Sequence, residues 1–400
     1  MDIDGSLALV PDRTQPDIQQ PVAPGQDPQE EIRSSLTDWL RVNLTPEVVA
    51  AGHTGMVSTE ALEILRTWNR ALADAGWAAI SWPAEYGGRD ASVAEQLAFY
   101  EVMTDFEAPG AVNVIGVANI APAIMAVGNS EQKDRFLAPM LRGDEIWCQG
   151  MSEPDAGSDL ASLRTTAVAD GAEFVINGQK TWNSLGQYAD WCQLYVRTDP
   201  SAPKHKGLSC LLVDMRSPGV EARPLRTMTG DTSFSELFFT DVRVPATALL
   251  GPIHEGWRVA MTTLSHERAG VARLHLSLSA RFQDLLDDAR TSGVEPTPVE
   301  RDRLARLFAR ISCMRWMTSR ELEAVGRGGQ PSPAMGSLAK LMWAQATQEL
   351  ADLAIGLLGS GGLTSVWTHN FTAAPGVSIA GGTSDINRNI VAEHGLGLPR

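Results

Sequence analysis

Four hundred residues, 44% apolar and 20% charged, have the composition of a folded globular chain long enough for two or three substructures with extensive cores. Lys and Arg number 33 against 48 Asp and Glu, and the resulting charge of −15 argues against a general nucleic-acid or acidic-membrane surface. The dispersed cysteines Cys148, Cys192, Cys210 and Cys313 exclude a disulfide framework and a zinc ribbon, and fit a reducing cytoplasm.

The first thirty residues hold Pro11, Pro16, Pro21, Pro24 and Pro28, and one Arg against six acids. Such a segment buries too little to offset its chain entropy, so residues 1–28 are read as a mobile acidic tail. It lacks the basic and apolar regions of a signal peptide, and no apolar run in the chain reaches the roughly 18 residues of a membrane span. The expectation is a soluble cytoplasmic protein. Helical periodicity starts after Asp27-Pro28, where Ile32, Leu36, Trp39 and Leu40 share one helix face; Leu65, Trp68 and Leu72 repeat the pattern before Gly76. A turn-rich Ser81-Trp82-Pro83-Ala84-Glu85-Tyr86-Gly87-Gly88 follows, and residues 29–145 read as a helical domain.

Residues 146–252 change character. Phe174-Val175-Ile176 lies between Asp170-Gly171 and Asn177-Gly178, two hairpin-turn dipeptides. Leu194 and Val196 alternate with polar neighbours, Leu208 to Met215 is a short apolar run, and Glu236 to Pro245 alternates with Phe238, Val242 and Val244 inward. These predict a middle antiparallel β-domain. Residues 253–400 return to helix, with Leu304, Leu307, Phe308 and Ile311 as one stripe and Leu338 to Leu358 as another. The block order α, β, α makes the fold class α+β.

Five stretches could carry chemistry, and each has a plain structural reading beside it. Gly359-Ser360-Gly361 opens like a dinucleotide fingerprint but follows a helix rather than a strand, so that reading is set aside. Met151-Ser152-Glu153-Pro154-Asp155-Ala156-Gly157-Ser158-Asp159 is a tight loop that lets backbone N–H groups approach a ligand, or else a helix cap at Ser158 or Asp159. Lys180-Thr181-Trp182-Asn183-Ser184 offers an aromatic plane beside hydroxyls, or a core Trp. His266-Glu267-Arg268 sits on a helix beginning near Gly256, where a solvated face is the plain alternative. Gly381-Gly382-Thr383-Ser384-Asp385 joins a turn to a helix N-terminus that Thr383 or Ser384 would cap.

In this order and spacing, from about Trp82 to the C-terminus, the stretches resemble the acyl-CoA dehydrogenase family of flavoproteins. The resemblance implies an N-terminal helical domain, a middle β-domain and a C-terminal four-helix bundle. It implies FAD between the β-domain and the bundle, held partly by a second subunit. By position, Gln149, Met151 and Ser152 would meet the flavin ring, Gly157 and Ser158 the phosphates and substrate, Trp182 and Ser184 the isoalloxazine, and Thr383 and Asp385 the C-terminal side of the cofactor. Arg268 would lie near the CoA portion. The implied reaction is α,β-dehydrogenation of a saturated acyl-CoA, with the β-hydrogen leaving as hydride to flavin N5 and electrons passing to an electron-transfer flavoprotein or similar acceptor.

Three positions depart from the usual family pattern. The common catalytic Glu before Gly-Thr-Ser is Gly381 here, whereas Leu264-Ser265-His266-Glu267-Arg268 matches the alternative base position of a minority branch. The resemblance therefore implies Glu267 as base, with Gly381 supplying a backbone N–H and a wider cleft for a branched or bulky acyl group. The usual Arg-x-x-Phe-Gly is Arg290-Thr291-Ser292-Gly293, and the usual Gln before the Gly-rich turn is Gly356. Besides a homodimer or homotetramer, these changes leave open a subunit of a heteromeric dehydrogenase with an incomplete flavin site, or a related flavoenzyme acting on a non-CoA substrate.

Overall fold

The computed structural model describes residues 27–54, 58–269, 274–327 and 332–399, so nearly all of the expected tail lies outside the described residues. Helix α1 (Pro28–Asn43) starts as its sequence requires: the Asp27 carboxylate accepts the Gln29 amide at 3.1 Å, and Pro28 occupies the first turn. Ile32, Leu36 and Leu40 are buried, and half-buried Trp39 packs on Trp68 of α3 (Thr59–Asp74) with ring centroids 5.2 Å apart. With α2 (Pro46–Thr54), α4 (Val93–Asp105), a π-helical turn at Gly116–Ile120, α5 (Ala121–Val127) and α6 (Ser130–Arg142), they complete the N-terminal helical part.

The turn at Ser81 to Gly88 is held by Trp82, which is buried and donates its indole N–H to the Val117 carbonyl at 3.0 Å. Gly88 lies so close that an added Cβ would stand 2.0 Å from the Trp82 carbonyl oxygen. Because the obstacle is backbone, Gly88→Ala is expected to destabilise by about 1–3 kcal/mol. Gly110→Ala, where an added Cβ meets nothing within 4 Å, is the control and should stay within ~0.5 kcal/mol. Denaturant unfolding of both variants reads the difference.

Seven strands follow: β1 (Trp147–Gly150), β2 (Thr166–Asp170), β3 (Glu173–Ser184), β4 (Trp191–Arg197), β5 (Leu208–Asp214), β6 (Val220–Leu225) and β7 (Phe234–Pro245). They form one sheet in the order β1-β4-β2-β3-β7-β6, with β5 also on β4. The sheet is not purely antiparallel as expected: β1 runs parallel to β4, and β2 touches β4 in parallel at Thr166 and Arg197. Parallel pairing needs a long crossover, and the β2–β3 excursion between β1 and β4 supplies it.

Two further expectations are corrected by bulges. Asp170-Gly171 is a hairpin turn, but Asn177-Gly178 is not; β3 runs straight through it. Asn177 instead exchanges side-chain hydrogen bonds with Asp241, accepting its amide at 2.9 Å and donating to its carboxylate at 3.0 Å. Gly178 is required because a Cβ would sit 2.5 Å from Thr165 Oγ1. The ladder slips between Ile176 and Gly178, and that slip reverses the side-chain phase of β7. Leu237 and Phe239 point inward before it and Val242 and Val244 after it, while Phe238 faces outward beneath the Arg223 guanidinium. Cys148 and Cys192 are buried among these inward side chains, and Cys210 is buried on the cluster that the sheet shares with α5 and α6.

The bundle comprises α7 (Gly256–Ala269), α8 (Leu274–Thr291), α9 (Pro298–Gly326) and α10 (Pro333–Leu358), followed by the short α11 (Ser360–Leu363), α12 (Val366–Ala373) and α13 (Ser384–Ile390). Leu278 and Leu285 of α8, Leu307 and Ile311 of α9, and Leu350 and Leu353 of α10 make its core; Phe308 of the expected stripe is largely exposed. The helix α7 packs on the π-helical turn, α5 and β5, so it lies where all three parts of the molecule meet. Asp231, ahead of β7, is 3.2 Å from His369 Nε2 on α12 and ties sheet to bundle. Burial opposes its ionisation, but hydrogen bonds from Ser233, Thr229 and His369 hold its carboxyl well below the usual carboxylate range.

Candidate active site

Between Lys180 and Asn183 the β3–β7 ladder slips again, and Trp182 takes a left-handed φ of 61°. The bulge turns its ring out of the core; Trp182 is 61% exposed and rests edge-on against Phe234 at 5.8 Å. Its core reading is therefore excluded. Alongside, the segment after β1 runs bonded to β3: the Thr181 amide donates to the Ser152 carbonyl at 2.9 Å, and Asn183 Nδ2 to the Gln149 carbonyl at 2.6 Å. Gln149, Met151, Ser152, Trp182 and Ser184 are thus joined along the edge where the end of β3 meets β1 and the segment after it.

An ion pair that sequence reasoning left without a role pins this edge. Lys180, with no exposed surface, places Nζ 2.8 Å from Glu153 Oε1 and 3.0 Å from the Met151 carbonyl oxygen. Glu153 Oε2 accepts the Arg164 amide at 2.6 Å, and Oε1 also accepts the Thr165 amide at 2.8 Å. Burial pulls the Lys180 ammonium down to about 8, with the Glu153 carboxylate offsetting part of the effect. Burial likewise works against the Glu153 charge, but Lys180 and the Thr165 and Arg164 donors outweigh it and hold the carboxyl below its ordinary value. The available signal was an acid and a base inside the two singled-out motifs.

A second unforeseen chain of polar groups leads from this edge to α7. Asn119 donates to Gln149 Oε1 at 3.4 Å, Gln149 Nε2 to Gln193 Oε1 at 3.3 Å, and Gln193 Nε2 to Thr263 Oγ1 at 3.3 Å. The Tyr195 hydroxyl lies 3.1 Å from the same Thr263 oxygen. Thr263 is fully buried, which fixes one face of α7 against the sheet, and position 267 stands four residues later in the same helix. The side chains of Glu267 and Arg268 themselves lie outside the described residues.

The remaining expected residues fall into two groups. Gly157 and Ser158 are exposed on the loop, and an added Cβ at Gly157 meets nothing within 4 Å, so local packing does not demand glycine there. Asp159 precedes the short turn Leu160–Ser162 without a side-chain cap bond, and its carboxylate pairs with Lys204 at 2.8 Å instead. In the bundle, Thr383 caps α13 by accepting the Ile386 amide at 3.2 Å, while Asp385 pairs with Arg388 at 2.6 Å. Gly381 and Gly382 precede the cap with φ of 65° and 91°. No hydrogen bond among the described residues joins this group to the Gln149–Ser184 edge.

Three family models match the chain in succession: the acyl-CoA dehydrogenase N-terminal domain over residues 26–144, the middle domain over 148–242 and the C-terminal domain over 254–396. "Acyl-CoA dehydrogenase IpdE1" of Mycobacterium tuberculosis is 39% identical over 381 residues, covering 93% of this chain and 98% of that protein. The chain belongs to the acyl-CoA dehydrogenase family. Among solved structures, the "Tcur3481-Tcur3483 steroid ACAD" superposes with a TM-score of 0.83 at 31% identity over 96% of this chain and all of that one. The ChsE4-ChsE5 complex from Mycobacterium tuberculosis gives 0.79 at 32% identity, covering 95% and 100%.

The acyl-CoA dehydrogenase family comprises flavin-dependent oxidoreductases acting on acyl-CoA, and the sheet edge fits a flavin on its own geometry. Trp182 presents its ring outward beside Phe234, while the next residue, Asn183, is buried with Oδ1 lacking a hydrogen-bond partner among the described residues. The exposed Trp182 ring offers a plane on which a flat ring system can stack. No helix among the described residues is long and apolar enough to cross a membrane.

Proposed function

We propose that this acyl-CoA dehydrogenase carries out α,β-dehydrogenation of a saturated, branched or bulky acyl-CoA to the trans-2-enoyl-CoA, with FAD as cofactor and Glu267 as base. The observation that carries the reading is the hydrogen-bond chain from Gln149, whose carbonyl holds Asn183 next to Trp182, through Gln193 to Thr263 of α7, one helical turn before position 267. Gln149, Met151, Ser152, Trp182 and Ser184 would hold the flavin ring, Gly157 and Ser158 the phosphates and substrate, and Thr383 and Asp385 the far side of the cofactor. Bound FAD supplies a two-electron acceptor for the β-hydrogen. The protein's own part is to hold the thioester carbonyl in hydrogen bonds, the Gly381 N–H among them, so that the α-C–H becomes acidic enough for the Glu267 carboxylate to remove its proton. Arg268 would attract the CoA phosphates locally despite the acidic chain.

Large apolar side chains exposed on the bundle, including Trp316, Val299, Val366 and Ile379, support an oligomer. That two solved relatives are two-protein complexes favours a second reading, in which a different chain completes the flavin site. A related enzyme acting on a non-CoA substrate is the remaining alternative. The deciding experiment is anaerobic: protein purified alone should carry flavin absorbance, and a branched acyl-CoA should bleach it. A colourless protein that gains flavin only with a partner would select the heteromer, and bleaching by no acyl-CoA would sink the dehydrogenase reading. Electrons would leave through an electron-transfer flavoprotein or similar acceptor.

The flavin contact itself has a specific test. Trp182→Ala is expected to weaken flavin binding by roughly tenfold, since an aromatic pair contributes about 0.5–1.5 kcal/mol beyond its area. The unfolding midpoint of the flavin-free protein should not move, because the ring lies outside the core. Flavin titration and thermal unfolding separate the two.

A further inference from the structure

Three polar side chains are buried on the seam between the sheet and α7, where apolar ones would fill the space as well. Gln193 and Tyr195 stand two residues apart on one face of β4, and both reach the same atom, Oγ1 of Thr263, at 3.3 and 3.1 Å. None of the three is more than 1% exposed. The cluster around them is apolar, with Val259 and Ala260 of α7, Leu208 and Leu212 of β5, and Ile124 of α5.

Burying such groups is costly unless each finds its partner, and once paired they do what packing cannot. Dispersion contacts change little when a helix turns or slides slightly, whereas a hydrogen bond weakens steeply away from its preferred angle. The Thr263 hydroxyl therefore pins the rotation and height of α7 against β4. The pin bears on the site at both ends. Gln193 Oε1 accepts Gln149 Nε2 at 3.3 Å, and the Gln149 carbonyl holds Asn183 next to Trp182. Along α7, position 267 stands four residues beyond Thr263, about 6 Å further on nearly the same face.

On the reading that Glu267 is the base, we propose that Thr263 is its positioning residue, anchored on β4 by Gln193 and Tyr195. A general base acts only within hydrogen-bond reach of its proton, and a misplacement of about 1 Å can cost roughly 100-fold. Thr263→Val keeps the side-chain shape and removes the oxygen. The measurement is stopped-flow flavin reduction by an acyl-CoA, branched or octanoyl, on protein with any partner needed for flavin. The rate at saturation should fall by about tenfold or more, with flavin affinity and the half-saturating acyl-CoA concentration changed by less than about threefold. Thr263→Ser restores the oxygen and should return most of the rate.

Thr263→Val also strands the buried Gln193 amide, so a second variant separates position from folding. Thr263→Val paired with Gln193→Met removes both partners; its unfolding midpoint should recover while its reduction rate stays low. On a Glu267→Gln background, Thr263→Val should cost less than about twofold more, because a residue acting through the base has nothing left to position. A full rate in Thr263→Val, a rate that recovers with the midpoint in the paired variant, or a loss that multiplies fully with that of Glu267→Gln overturns the role of Thr263 and leaves Glu267 as base. A full rate in Glu267→Gln alone, or a wild-type flavin that no acyl-CoA bleaches, overturns both.

Discussion

Glu267→Gln is expected to slow flavin reduction by at least ~100-fold while leaving flavin binding and the unfolding midpoint unchanged. The carbon acid of an acyl thioester gives up its proton only to a base placed against it, and the amide that replaces the carboxylate has the same shape with no basicity. Stopped-flow bleaching under substrate saturation reads the chemical step directly, and near-wild-type bleaching would remove Glu267 from the mechanism. The other position that the resemblance offers for the base is Gly381, whose φ of 65° lies where a side chain costs roughly 1–2 kcal/mol. Glycine there keeps the turn relaxed, and a carboxylate introduced by Gly381→Glu on the Glu267→Gln background should recover only part of the rate.

Lys180→Met is expected to cost about 3–5 kcal/mol, because it leaves the buried Glu153 carboxylate without its counter-charge. The Arg164 and Thr165 amides would still bind that carboxylate, so the loss should fall at the lower end. Pairing Lys180→Met with Glu153→Gln removes both charges and should return much of the stability, which a double-mutant cycle in denaturant would measure. The same pair predicts an acid response. Since the folded Glu153 carboxyl titrates below its ordinary value near 4.5, its stabilisation is complete above that pH and is lost as pH falls through the depressed folded value. Release of flavin in acid should therefore begin at higher pH in a variant already weakened at Lys180. The edge carrying Met151 and Ser152 is what the pair holds in place, so the chemistry would suffer before global unfolding.

Much of the architecture could be read from residues because local and global signals agreed. Asp27-Pro28 caps α1, Ile32 and Leu36 point inward, and Gly359 ends α10 rather than opening a nucleotide loop. What escaped was non-local. Nothing within β7 announces that its inward face switches between Phe239 and Val242, since the slip is set by Asn177 gripping Asp241 from another strand. The parallel β1–β4 pairing depends on where a long excursion returns. Trp182, Ser184 and Gln149 were singled out through the resemblance, but the hydrogen bonds and ion pair around them were not legible. Lys180 with Glu153, and Thr263 with Gln193 and Tyr195, are polar groups whose partners lie far along the chain, where periodicity carries no information.

The bulge that turns Trp182 outward has a consequence for how this protein can vary. An aromatic plane here is presented by the number of residues in the strand as much as by their identity. Removing one residue between Lys180 and Asn183 would let the ladder close and send alternate side chains to the opposite face. Exchanging single residues would keep the slip. Evolutionary drift at this edge should therefore proceed by replacement and shun insertions and deletions, although an exposed segment elsewhere on the surface would tolerate both. Chain length at this spot is itself part of what presents the ring.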